Sequence, residues 1–156
     1  MGELKVIDGS ETGETIEQYI VVKIDNEQYG VNIRFIDNIV KNQIITRVPK
    51  TQRYYKGVIN LRGEIIPVMS MRIKLGLAPD EYTDKTRIII IKLENAKIGI
   101  LVDQVNEVIT LDEEDVEKTH HDKNDEASGY ISGIGKSKGE LVSLLDIVSL
   151  ITEKDI

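Results

Sequence analysis

The chain has 156 residues, 40% of them hydrophobic, which suffices for one packed domain or two very small ones. With no Cys it excludes disulfides, thiolate-bound metals and thiol nucleophiles, and its formal charge of −7 argues against nucleic acid or anionic lipid as the main partner. One Phe and no Trp leave the core to Ile, Val and Leu, a composition that leans towards strands.

Residues 1–16 are acidic and polar with no hydrophobic period, and a disordered tail is expected there. They lack the basic start and apolar stretch of a signal peptide, and no apolar run approaches the ~20 residues that span a bilayer, so a cytoplasmic protein is expected. Structure is expected from Glu17. Tyr19 to Ile24 reads as a strand, Asp25-Asn26 as a turn, and a second strand ends near Ile33, which together make a hairpin. After the connector Lys41 to Lys56 comes another hairpin, Val58 to Leu61 with Glu64 to Met69, turning through Arg62-Gly63. A short helical turn from Arg72 to Leu77 then stops at Gly76 and Pro79.

The remainder repeats this order. Tyr19 to Val40 overlays Ile88 to Ile109 at an offset of 69, with Ile20/Ile89, Lys23/Lys92, Asn26/Asn95 and Gly30/Gly99 identical. Gly57 to Met71 overlays Gly133 to Ile147 at an offset of 76, with Gly57/Gly133, Gly63/Gly139 and Glu64/Glu140 identical. Two matches in one order that keep the turn glycines point to an internal duplication. The tail from Leu145 places Leu145, Val148 and Ile151 at helical spacing, so a short C-terminal helix is expected. The expected fold is all-β: two small barrels, residues 17–84 and 85–156. They should share a hydrophobic junction, because a unit of ~60 residues buries only about 60% of its unfolded surface alone.

The charge is unevenly shared. Lys41 to Lys74 carries eight basic residues with Glu64 as the only acid, whereas Asp103 to Glu126 carries ten acids and two lysines.

Motifs for chemistry are lacking. Gly129 to Ser137, GYISGIGKS, has one residue too many between its glycines for a phosphate loop, and the KGELVSLL that follows reads as a strand, not a helix. His120-His121 have no metal-ligand spacing, and Asp122, Asp125 and Glu126 lack the alternation of a calcium loop. No nucleophile elbow occurs, so no enzyme activity and no cofactor are expected. The element that packing does not explain is Asn60 and Arg62, at the tip of a hairpin otherwise built of Val, Ile, Leu and Gly. Arg62 either caps turn carbonyls or presents its guanidinium fork to a partner.

NLRG at Asn60 to Gly63 with the Pro67 hairpin, the Gly30 strand before it and IGILVDQVNEVI after it resembles the CheW family of bacterial chemotaxis coupling proteins, from Glu17 to about Ile151. The resemblance implies two intimately associated five-stranded barrels, SH3-like and OB-like, between which strands may be exchanged. It implies a non-enzymatic adaptor joining the cytoplasmic tips of methyl-accepting chemoreceptors to the regulatory domain of the histidine kinase CheA. By position, receptor contact would fall on Ile36, Gly57, Gly63, Val105 and Val108 at the barrel junction. Kinase contact would fall on Asn38, Ile39 and Thr46 of the first barrel, with Arg62 near either surface. The family commonly has an acid where this chain has Asn38, and Asp-Leu where it has Ser70-Met71. The alternative reading is a barrel binding single-stranded nucleic acid or a small ligand, with Tyr54-Tyr55 stacking bases beside the basic stretch.

Overall fold

The computed structural model describes residues 16–41, 43–119 and 129–151. The expected N-terminal tail lies outside them except for Ile16, as do His120-His121, Asp122, Asp125 and Glu126. Eleven strands and two single-turn helices follow one another: β1 (Glu17–Ile24), β2 (Glu27–Asn32), β3 (Ile36–Lys41), β4 (Tyr55–Leu61), β5 (Glu64–Ser70), α1 (Met71–Lys74), β6 (Arg87–Lys92), β7 (Lys97–Val102), β8 (Gln104–Leu111), β9 (Val116–Lys118), β10 (Ile131–Ser137), β11 (Glu140–Leu145) and α2 (Ile147–Leu150).

One sheet has the order β3-β6-β7-β5-β4 and the other β8-β1-β2-β11-β10-β9. Each sheet takes its inner hairpin from the other half of the chain. β1 and β2 lie with β8 to β11, and β6 and β7 lie with β3 to β5, so the strand exchange left open by the sequence is present. Residue 84 divides the sequence repeats, and the sheets cross that division.

The duplication holds at the level of single bonds. β7 joins β5 in parallel at Val68 and Gly99, and β2 joins β11 in parallel at Leu144 and Gly30. β3 bulges at Asp37 against β6, and β8 bulges at Asn106 against β1. The Ser70 N–H donates to the Tyr54 carbonyl as Asp146 N–H donates to Tyr130, both at 2.7 Å. Ser70 then caps α1 as Asp146 caps α2. Every one of these pairs is separated by one of the two sequence offsets.

The exchange explains the Ile-rich strands. Central strands covered on both faces must be apolar on both, and β6 shows how: Ile88 and Ile90 enter one core, Ile89 and Ile91 another. Three cores result. Ile59, Ile66, Val68, Ile88, Ile90 and Leu101 fill the five-stranded barrel, and Val21, Ile109, Leu111, Val142 and Leu144 fill the other. The largest draws Val22, Ile24 and Val31 from one sheet and Met69, Ile89, Ile98 and Ile100 from the other, and is the shared junction.

Both sheets close across the same seam. In the five-stranded one, an isolated bridge between Thr46 and Val58 returns the chain after β3 to β4 at the far edge. In the other, the longer connector passes through a 3₁₀ turn at Glu113–Asp115 and leaves three residues in register as β9, so this sheet has six strands where five were expected.

Candidate protein-docking surfaces

The β4–β5 hairpin turns through Arg62 and Gly63 at φ 54° and 86°. Two successive positive φ values make the tight turn whose twist suits a hairpin, and the glycine bears the second without strain. The Asn60 side-chain oxygen accepts the Gly63 N–H at 3.1 Å, so Asn60 caps the turn. Arg62 is exposed and makes no ion pair or hydrogen bond with another described residue.

Thr46 and Val58 exchange two backbone hydrogen bonds of 2.8 Å. Opposite the bridge, Gly57 is buried at φ 141°, and a Cβ there would stand 2.1 Å from the Thr46 carbonyl oxygen. Gly57 and Thr46, expected on two different surfaces, therefore adjoin.

The junction rim gathers another set. Ile36, Ile39 and Val105 are half-buried and pack against the junction core, while Val108, the equivalent of Ile39, is 54% exposed. The bulges leave these side chains facing the junction and turn Asn38 the other way, opposite Ile90. Ile39 thus shares its face with Ile36, and Asn38 accepts the N–H of Ile39 on its own side chain at 2.8 Å.

Polar ties between strands repeat across the duplication. Lys97 on β7 reaches Glu64 on β5 at 2.9 Å and the bulged Asp37 on β3 at 3.5 Å. At the equivalent positions Gln28 donates to Glu140 at 2.6 Å and accepts from the bulged Asn106 at 3.4 Å. The same triad is charged in one barrel and uses amides in the other. A second tie has no counterpart: Arg72 after β5 holds Asp103, at the crossover from β7 to β8, through Nε at 2.9 Å and Nη2 at 2.8 Å. Asp103 also accepts the Asp25 N–H at 2.8 Å. Burial raises the Asp103 pKa, but the Arg72 hydrogen bond, the Asp25 N–H and the Arg72 and Lys23 charges outweigh it and hold the carboxyl below its ordinary range. The equivalents of Arg72 and Asp103 are Val148 and Arg34, which cannot pair.

Tyr54 and Tyr55, which the nucleic-acid reading needs as a stacking platform, are half-buried against the junction core, and the Lys74 ammonium lies 3.9 Å from the Tyr54 ring centroid. Lys74 also lies 5.4 Å from the ring of the equivalent Tyr130. GYISGIGKS runs into β10 and a hairpin, without the helix a phosphate loop feeds. Among the described residues no three His, Asp or Glu are grouped to hold a metal, and no helix is long and apolar enough to cross a membrane. The adjacent Ile44 and Ile45 of the connector differ: Ile44 is 90% exposed and Ile45 packs on the five-stranded core.

Sequence reasoning missed the polar triads and the Arg72–Asp103 clamp. The first could have been found by aligning Asp37, Glu64 and Lys97 with Asn106, Glu140 and Gln28. The second breaks the repeat and has no such signal.

Residues 18–155 match the family model described as the CheW-like domain. The chain is 36% identical over 133 residues, 85% of either chain, to the "Chemotaxis protein CheW" of Bacillus subtilis. It is 34% identical to that of Thermotoga maritima, over 84% of this chain and 85% of the relative. The crystal structure of the scaffolding protein TtCheW from Thermoanaerobacter tengcongensis superposes with a TM-score of 0.82 at 29% identity, covering 91% of this chain and 97% of that one.

Proposed function

The chain belongs to the CheW-like domain family, and from that premise we propose that it is a non-catalytic, cytoplasmic adaptor of bacterial chemotaxis, joining the regulatory domain of the histidine kinase CheA to the cytoplasmic tips of chemoreceptors. The observation that carries the reading is the presence of two chemically different surfaces on one strand-exchanged body. One is the apolar rim of the junction, where Ile36 and Val105 are half-buried and Val108 is exposed. The other is the seam of the five-stranded barrel, with Thr46 on its edge and Arg62 exposed at its hairpin tip. Chemoreceptor tips are helical hairpins, and an apolar rim between two barrels suits a helix anchored by a few side chains. The seam, with Asn38 beside it, is the kinase side; Ile39, expected there, is turned to the junction with Ile36.

Thermal unfolding, receptor-tip binding and kinase binding, measured separately on Val105→Ser, Ile39→Asp and Arg62→Ala, test this. Val105→Ser is expected to weaken receptor binding with kinase binding retained. Arg62→Ala is expected to fold normally and bind a partner less well. Ile39→Asp sets an unpaired charge against the junction core and is expected to lower the unfolding midpoint, so its kinase affinity is read per folded molecule. If Val105→Ser lowers only stability, with receptor affinity per folded molecule unchanged, the rim is junction core and no docking surface.

A further inference from the structure

We propose that the partner surface docking on the seam of the five-stranded barrel is acidic and receives Ile44 in an apolar recess; this rests on reading that seam as the kinase side. From Lys41 to Arg62 the chain carries Lys41, Arg47, Lys50, Arg53, Lys56 and Arg62, and no Asp or Glu. All but Lys56 are exposed, and none forms an ion pair with a described residue. The backbone bridge at Thr46 draws the stretch onto β4: the antiparallel pairing carries Ile44 towards Asn60 and the Arg62 turn, and sets Arg47 beside Gly57. Six cations in one stretch, without counter-charges among the described residues, repel one another, and an acidic partner surface removes that repulsion.

Ile44, in the midst of this stretch, is 90% exposed, while its neighbour Ile45 already supplies the contact to the barrel core. An apolar side chain so placed is an anchor for a recess on the partner, ringed by charges that steer the approach. The equivalent connector of the other barrel is unlike it. There the Asp112 side chain accepts the Glu114 N–H at 2.7 Å and the Asp115 side chain accepts the Asp112 N–H at 3.1 Å, across the 3₁₀ turn. A phosphate backbone would satisfy the cations, but the aromatic rings it would need beside them, Tyr54 and Tyr55, are packed on the junction. A protein surface is the better fit.

The test follows association of full-length histidine kinase with the full chain at low and at physiological salt, for wild type, Arg47→Glu/Lys50→Glu and Ile44→Ser. Wild-type association should slow as salt rises. The double reversal should slow it at least about 10-fold at low salt and remove most of the salt dependence. Ile44→Ser should speed dissociation. Thermal unfolding should be unchanged for the double reversal and for Ile44→Ser, since all three side chains are exposed. If the reversal alters neither rate nor salt dependence while Ile44→Ser still speeds dissociation, the acidic partner is refuted and the kinase reading stands. Failure of the wild type to bind kinase at either salt refutes that reading, and this inference with it. Saturable binding of a single-stranded oligonucleotide, lost on reversal, would assign the cations to phosphate and overturn the proposal.

Discussion

Gly57 shows how one backbone position can be held by the closure of a barrel. Its φ of 141° and the Thr46 carbonyl 2.1 Å from a would-be Cβ leave no room for a side chain. Gly57→Ala is expected to cost about 3 kcal/mol or more, since strain and a backbone collision add, and a denaturant midpoint measures it. Loss of partner binding in that variant would then follow from loss of fold. Asp103 is a different case. Because its folded-state pKa lies below the ordinary value, its ionisation stabilises the fold above the unfolded pKa of about 3.9 and that contribution is lost as pH falls through the folded value. Asp103→Asn should lower stability at neutral pH by about 2 kcal/mol, as loss of charged hydrogen bonds does. The gap from wild type should narrow below about pH 4. An acid titration of unfolding midpoints checks both. Arg62 and the turn glycine were legible from sequence because a polar residue at an apolar hairpin tip stands out. The Arg72–Asp103 clamp was not, since 31 residues separate its members and only folding unites them.

At the scale of elements, strand type and hairpin position could be read from alternation and turn residues, and the repeat could be read from two matched blocks. What alternation could not convey is which hairpin enters which sheet. A run such as Arg87-Ile88-Ile89-Ile90-Ile91-Lys92 says that both faces are covered, but the covering elements are chosen by the two crossovers, at Ile33–Phe35 and at Asp103. The exchange has a direct consequence. A fragment of residues 17–84 contains β3, β4 and β5 but lacks β6 and β7, the two strands that lie between β3 and β5 in their sheet. It should remain unfolded alone by circular dichroism and amide exchange, and fold on mixing with residues 85–156. A fragment that folds cooperatively by itself would contradict the topology. The third element-scale feature, the side on which a bulged strand presents its residues, also escaped the sequence. The bulge at Asp37 shifts Asn38 to the barrel face and Ile39 to the junction, so two neighbours expected to act together point apart.

For the whole molecule, the exchange makes a junction core larger than either barrel interior, and the two outer surfaces are borne by one interlocked body. Such a body can hold two partners at a fixed relation without chemistry of its own, which is the physical content of an adaptor. The equivalent connectors of the two barrels carry opposite charge in the sequence, so a partner built to meet one is repelled by the other. The most direct test of the coupling role is co-sedimentation of purified histidine kinase with receptor-bearing membranes while this chain is titrated in. The expected result is kinase in the pellet that rises with the added chain and saturates, and that falls to the chain-free level with Val105→Ser although that variant still binds kinase in solution. Kinase that pellets to the same extent with and without the chain would contradict the account.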